Sequence, residues 1–165
     1  MSFFDVKNFS RELKVAIDAS MAAAKIIRKY FKGSFEISIK EDQTPVTQVD
    51  IECEKAIKKI LLTTFPEHGF YGEETAFTNK EADYLWLVDP IDGTKSFVRG
   101  YPFFSTQIAL MHKGQIILGV SNGCMFDELI YAERNNGSWF NHEKISVSDI
   151  NNIDSSSIST GNLKS

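Results

Sequence analysis

Cysteine, histidine and proline are scarce in this 165-residue chain, with 2 Cys, 3 His and 4 Pro. Cys53 and Cys124 stand alone without CxxC spacing, so a disulfide scaffold is not indicated. Two isolated thiols fit core positions in a reducing cytoplasm. His68, His112 and His142 lie far from every acidic motif and read as surface or turn residues. No apolar stretch approaches the roughly 20 residues that span a bilayer. The opening MSFFDVKNFS lacks both a basic n-region and an apolar h-region, which predicts no signal peptide. A basic excess is missing too: 18 Lys+Arg against 22 Asp+Glu leave a net charge of −4, which argues against a broad grip on nucleic acid. Neither G-x-S-x-G nor G-x-x-x-x-G-K-[ST] occurs, so neither a hydrolase nucleophile elbow nor a P-loop is suggested. The expectation is a cytoplasmic globular protein without membrane or nucleic-acid partners.

Aromatic surface, in contrast, is plentiful. The 13 Phe within a 12% aromatic content supply enough apolar area to offset chain entropy and exclude low-complexity disorder. Phe9, Leu13, Ala16, Ile17, Ser20, Met21, Ala24, Ile27 and Phe31 recur at helical spacing, and Gly33 is placed to close that helix. Residues 35–40 alternate apolar and polar as a half-buried strand does. Thr47 opens a second helix that runs to about Phe65, with Val49, Cys53, Ala56, Ile57, Ile60 and Leu61 as its buried stripe. The unbroken apolar run Tyr84-Leu85-Trp86-Leu87-Val88 predicts a strand buried on both faces. Residues 104–112 and 115–123 flank the two-residue turn Lys113-Gly114, and a further strand over 128–134 leads to the turn Asn135-Asn136-Gly137. The order predicts an α+β fold, helices layered on a mostly antiparallel sheet. We expect one such domain over residues 1–150, followed over 151–165 by a polar tail or the start of a further domain.

The acids cluster where strands end. Gly72-Glu73-Glu74 follows a short strand signal, and Asp89-Pro90-Ile91-Asp92-Gly93-Thr94 follows the apolar run. Strand ends hold side chains in fixed positions. Pro90 is expected to stop the strand, letting both aspartates and the Ile91 carbonyl curl toward one point. Oxygen-only ligands suit a hard cation, Mg2+ above all. Two carboxylates about 4 Å apart repel by about 4 kcal/mol at an effective dielectric of 20, so Glu73, Asp89 and Asp92 need protons or a metal to sit together. Gly93 lets backbone approach an anion, and Thr94 starts a short helix whose free N–H groups favour phosphate. Asp50 has two readings: the acid of the capping box Thr47-x-x-Asp50, or a carboxylate polarising Thr94 or a water.

Gly-Glu-Glu at 72–74 and Trp-Leu-Val-Asp-Pro-Ile-Asp-Gly-Thr at 86–94 resemble the inositol monophosphatase family of Mg2+-dependent phosphatases. Pro45-Val46-Thr47-x-x-Asp50 and Pro102-Phe103-Phe104 agree with that resemblance, which runs in order along the whole chain. It implies the N-terminal half of a layered αβαβα sugar-phosphatase architecture. It also implies two or three Mg2+ ions, with Glu73, Asp89 and the Ile91 carbonyl on the first, Asp89 and Asp92 on the second, and Glu73–Glu74 beside a third. Asp50 and Thr94 would activate a metal-bound water, with Glu73 in the catalytic set, while Asp92, Gly93 and Thr94 hold the phosphate. Lys40 matches a lysine on the family's loop before the second helix. The implied reaction is in-line attack of water on a small alcohol phosphate, in a protein expected to be a homodimer.

Two departures bear on that expectation. Family members run on for roughly another hundred residues, as a second domain of ordinary size would. That part carries a Trp-Asp motif, whereas Trp86 and Trp139 here precede Leu87 and Phe140. Lys95-Ser96-Phe97 replaces the Thr-Asn-Phe of inositol-specific members and looks more like the histidinol-phosphate phosphatase branch. One alternative is an inactive domain that only binds metal or oligomerises. A more distant one is a haloacid-dehalogenase-like phosphatase with its D-x-D-G-T motif. There the acids are one residue apart, whereas Pro90 and Ile91 both intervene here, and one extra strand residue reverses a side chain's face.

Overall fold

The computed structural model describes residues 9–39 and 45–158. Lys40 lies outside them. Helix α1 (Arg11–Tyr30) begins where the Ser10 hydroxyl accepts the Leu13 N–H at 3.1 Å. Its predicted stripe is buried from Leu13 to Ile27 except at Met21, which sits at the edge of the packed face and is exposed. Within the stripe the Ser20 hydroxyl donates to the Ile17 carbonyl while accepting from Asn122 of the sheet. The helix ends one residue sooner than Gly33 suggested. Phe31 is its C-cap, and Lys32 takes the positive φ of 60°, an arrangement in which the Phe31 ring packs on Phe97 and Phe104.

Residues 35–40 depart from the half-buried strand expected of them. Only β1 (Ile37–Ile39) forms, pairing with β2 (Pro45–Thr47) in a two-stranded ribbon off the main sheet. Among the described residues no layer covers it, so Ile37 and Ile39 are exposed, while Phe35 turns inward, onto Phe97. Helix α2 (Gln48–Thr64) follows directly. Thr47 and Asp50 form the full capping box that the sequence signalled.

The main sheet has seven strands in chain order. They are β3 (Gly69–Gly72), β4 (Tyr84–Asp92), β5 (Ser105–His112), β6 (Gln115–Gly123), β7 (Glu128–Glu133), β8 (Gly137–Phe140) and β9 (Glu143–Ile145). Only β3 and β4 are parallel. Lys113 and Gly114 take positive φ angles of 49° and 79°, the geometry that a two-residue hairpin between twisted strands requires. Helices α1 and α2 pack on one face, over Trp86, Ile108, Leu110 and Val120. The short helix α3 (Thr94–Val98) joins β4 to β5.

The prediction that β4 is buried on both faces fails. Burial alternates along it: Trp86 and Val88 are buried, whereas Leu85 and Leu87 are only half-buried. The far face is hollow because its cross-strand row is small. Leu87 pairs with Ala109, Ala109 with Gly119, and Gly119 with Ala132. A cavity of about 710 Å³ opens there. Beyond β9 the chain is exposed through residue 158, with one 3-10 turn at Ile153–Ser155. Among the described residues no helix is long and apolar enough to cross a membrane.

His68 is also misplaced by sequence reasoning. It is 4% exposed, and its ring lies between Phe65 and Tyr84 at 4.8 Å from each, with His112 continuing the column at 4.1 Å from Tyr84. Aromatic stacking draws it inward, and Nδ1 is left without a partner. Burial lowers the His68 pKa below its ordinary 6.5, while the nearby charge of Glu67 opposes the shift. A lowered histidine pKa contributes stability that is present above about pH 6.5 and lost as pH falls below it. His68→Phe keeps the stack and should flatten the fall in melting temperature between pH 7 and 5. An unchanged pH profile in that variant would show that the loss arises elsewhere.

Candidate functional site

The parallel register of β3 with β4 places Gly72 beside Val88. The Glu73 N–H extends it by donating to the Val88 carbonyl at 3.2 Å. One step on, Glu73 meets Asp89 on the hollow face of the sheet, and both line the cavity. Asp89 pairs in the ladder with Gln107, which pairs with Ser121, so a short polar row borders the apolar one.

Asp89 is electrostatically strained. Its pKa is pushed from 3.8 up to about 8, first by burial, then by the charge of Glu73 and a hydrogen bond shared with it, then by the charge of Asp92. The Ile91 N–H, donating to Asp89 Oδ1 at 3.1 Å, pulls the other way.

Pro90 does not stop the strand as expected. β4 continues to Asp92 through a bulge: Asp89 pairs with Gln107 and Asp92 with Ser105, three residues of advance against two. A bulge interrupts the ladder where proline lacks its N–H. The Pro90 carbonyl is still satisfied, accepting from the Thr106 hydroxyl at 2.9 Å. The bulge re-aims the residues after it. Asp92 is exposed and borders a smaller hollow of about 410 Å³ with Gly93, Phe103 and Ser105. Ile91 buries its side chain, and its carbonyl accepts from the Thr94 hydroxyl at 3.0 Å.

Asp50 closes the capping box and also contacts Thr94. Oδ2 accepts the Thr47 N–H at 2.8 Å and the Thr47 hydroxyl at 2.5 Å, closing the helix cap. Oδ1 accepts from the Thr94 hydroxyl at 3.2 Å. Asp50 is 1% exposed, and burial raises its pKa, though the hydrogen bonds from Thr47 and Thr94 draw it back. Gly93, at φ 105°, passes so close to the segment leading into β5 that a Cβ there would lie 2.9 Å from the Phe103 carbonyl oxygen. Position and conformation both require glycine.

The structure therefore joins Glu73 to Asp89, and Asp50 to Thr94 and the Ile91 carbonyl. Asp92 reaches Asp89 through its charge. Glu74 anchors its backbone inward, its N–H donating to Glu54 at 2.8 Å. Among the described residues, no group of three or more His, Cys, Asp or Glu converges as a set able to hold a metal ion. The donors at hand are all oxygens, the chemistry a hard divalent cation takes, and such a cation binds an acid pair by displacing the proton it holds. Glu54 escaped the sequence reading. Its one signal was its place a turn after Asp50 on the same side of α2.

Known proteins resemble this chain in sequence and fold. The model of the inositol monophosphatase family matches residues 9–164. A chloroplastic bifunctional phosphatase of Arabidopsis thaliana is 44% identical over 131 residues, 78% of this chain and 36% of that protein. The histidinol-phosphatase of Chlorobaculum parvum is 36% identical over 140 residues, 84% of this chain and 54% of that protein. Among solved structures, the extragenic suppressor protein SuhB of Bartonella henselae superposes with a TM-score of 0.82 at 33% identity, over 86% of this chain and 56% of that one. The chain thus spans between about a third and somewhat over half of the proteins it matches.

The strain on Asp89 has a measurable sign. An acid whose folded pKa is raised from 3.8 to about 8 favours the folded state fully below about pH 4, and that contribution drains away as pH rises to about 8. Asp89→Asn removes the charge that causes the loss. In EDTA its stability advantage over the parent chain should grow from near zero at pH 4 to at least about 1 kcal/mol at pH 8, the worth of a single pKa unit. Denaturant melts along that pH range check it, and a variant less stable than the parent at pH 8 would contradict it.

Proposed function

The chain belongs to the inositol monophosphatase family, and from that premise we propose that it forms the metal- and phosphate-holding part of a Mg2+-dependent phosphomonoesterase acting on a small alcohol phosphate. The observation that carries the proposal is the pairing of Glu73 with Asp89, two acids held together at an electrostatic cost on adjoining strand ends. Glu73, Asp89, Asp92 and the Ile91 carbonyl, with Glu74 beside them, are the assigned ligands of two or three Mg2+ ions. Bound there, the ions supply Lewis-acid charge at the phosphate and at the departing alkoxide.

The protein's own groups do the rest. Thr94 donates its single hydroxyl proton to Asp50 or to the Ile91 carbonyl, which leaves its oxygen lone pairs to accept a hydrogen bond from water. That bond aligns water for attack, and as water passes a proton to the Thr94 hydroxyl oxygen, Thr94 passes its own proton to the Asp50 carboxylate behind it. Glu73 completes the proposed catalytic set. Asp92, Gly93 and Thr94 hold the phosphate, where glycine allows backbone N–H groups to approach its oxygens. Lys40, outside the described residues, is proposed to add a cation to them.

Inositol monophosphate and histidinol phosphate are the proposed substrates. Lys95-Ser96-Phe97 and the likeness to a histidinol-phosphatase favour the second. A homodimer in the cytoplasm completes the proposal; the hollow apolar sheet face offers contact area, and the two buried free thiols suit a reducing compartment. The haloacid-dehalogenase alternative falls with the family assignment. The second reading, a module that binds metal or self-associates without turnover, draws on the same hollow face and on the share of its relatives that the chain spans.

Calorimetric titration with Mg2+ and assay of phosphate release from both substrates separate the two. The enzyme reading expects phosphate release that needs Mg2+ and stops in EDTA. Binding without release favours the module. Thr94→Ala should lower kcat by about 100-fold or more, the usual worth of a positioned proton acceptor. Asp92→Asn should abolish turnover with the melting temperature in EDTA little changed, since its side chain is exposed and removes no packing. Undiminished hydrolysis in EDTA would overturn the assignment.

A further inference from the structure

Glu54 is fully buried, on the face of α2 that packs against the end of β3. It lies four residues after Asp50, so the two carboxylates project from the same side of the helix. Asp50 reaches the loop of Thr94, and Glu54 reaches the other acidic loop. Its Oε2 accepts the Glu74 N–H at 2.8 Å, and its Oε1 has no partner among the described residues. The carboxylate occupies the space beside the bare α-carbon of Gly72, where any Cβ would fall inside it. Lys58, one turn further along α2, donates to the Ala76 carbonyl at 3.5 Å, so the helix clasps the segment after β3 at two points.

A buried carboxylate oxygen left unpaired is costly. An apolar side chain would fill the same volume without that cost, but it would offer nothing to the Glu74 N–H. The gain must lie in what this bond fixes. Glu73 is held from the front by its N–H on Val88 and meets Asp89 on the hollow face. Glu54 holds the next peptide from the helix side. With both peptides tied, the backbone between them has one direction.

We propose that Glu54 is a positioning residue for the Glu73–Glu74 turn, its carboxylate seated against Gly72 and gripping Glu74 from the protein interior, so that Glu73 is presented to Asp89 in one geometry. Its effect on metal binding rests on the functional reading above; its effect on the turn does not. Two kinds of measurement therefore separate them.

In metal-free protein, amide hydrogen exchange read by NMR should be at least 10-fold faster at Glu74 in Glu54→Leu, with protection along α2 retained. Glu54→Gln, which keeps an acceptor oxygen, should stay close to the parent. Gly72→Ala, which evicts the carboxylate while leaving Glu54 in the sequence, should reproduce the leucine variant if the latter folds poorly. Titration with Mn2+ alone should then show affinity weakened about 10-fold in Glu54→Leu and in Gly72→Ala, no further weakening in the double variant, and near-parent binding in Glu54→Gln. Unchanged exchange at Glu74 in both Glu54→Leu and Gly72→Ala would overturn the positioning role. So would equal weakening in Glu54→Gln, which would make charge and not position the point. If the parent chain bound neither Mn2+ nor Mg2+, the functional reading would fall, and the exchange result alone would decide the role of Glu54.

Discussion

The parallel pairing of β3 with β4 is the constraint on which the site depends. A parallel register carries successive residues of the two segments side by side, and one step past the Gly72–Val88 pair both residues are acids. Every other strand pair of the sheet is antiparallel and could slip by two residues without moving Glu73 toward or away from Asp89. The register Gly72–Val88 cannot. It is enforced from the helix side by Trp86 and Phe70, both wholly buried, and a slip of one residue would drive these rings to the far face.

Helix α2 is the second organiser. Its first turn caps itself through Thr47 and Asp50, and the same Asp50 carboxylate turns its other oxygen to Thr94, more than forty residues away in sequence. One turn later Glu54 does for the Glu73–Glu74 loop what Asp50 does for the Thr94 loop. Two strand-end loops from different parts of the chain are thus referenced to one rigid rod. The rod is itself fixed by a buried stripe through Val49, Cys53, Ile57 and Leu61 against α1 and the sheet. Stability is lost locally at Asp89 and at Glu54 Oε1 and recovered in that core, a common pattern where side chains are held for chemistry and not for packing.

Much of this was legible in the sequence, for identifiable reasons. Helical spacing marked α1 and α2, the Lys113-Gly114 and Asn135-Asn136-Gly137 turns marked the meander, and acids at strand ends marked Glu73, Asp89 and Asp92. These signals are local. What the sequence hid is set by tertiary partners. The aromatic column drew His68 inward. The absence of a covering layer left Ile37 and Ile39 in solvent. The far row of Leu87, Ala109, Gly119 and Ala132 made a hollow that no single strand could reveal. Pro90 misled because a proline that ends a strand and one that sits in a bulge look alike until the neighbouring register is known. Glu54 was hidden for the opposite reason: a glutamate in a helix is ordinary, and only its contact with Gly72 marks it.

The hollow beside Asp89 has one more implication. Its apolar floor borders the acid pair directly, so water within it is the medium through which those charges are screened. Whatever layer comes to rest on this face expels that water and lowers the local dielectric, and the repulsion between the two carboxyls grows as it does. Assembly on the sheet and proton affinity at the strand ends are therefore thermodynamically linked: each proton taken up by the pair eases the covering of the face, and each covering of the face tightens the hold on the proton.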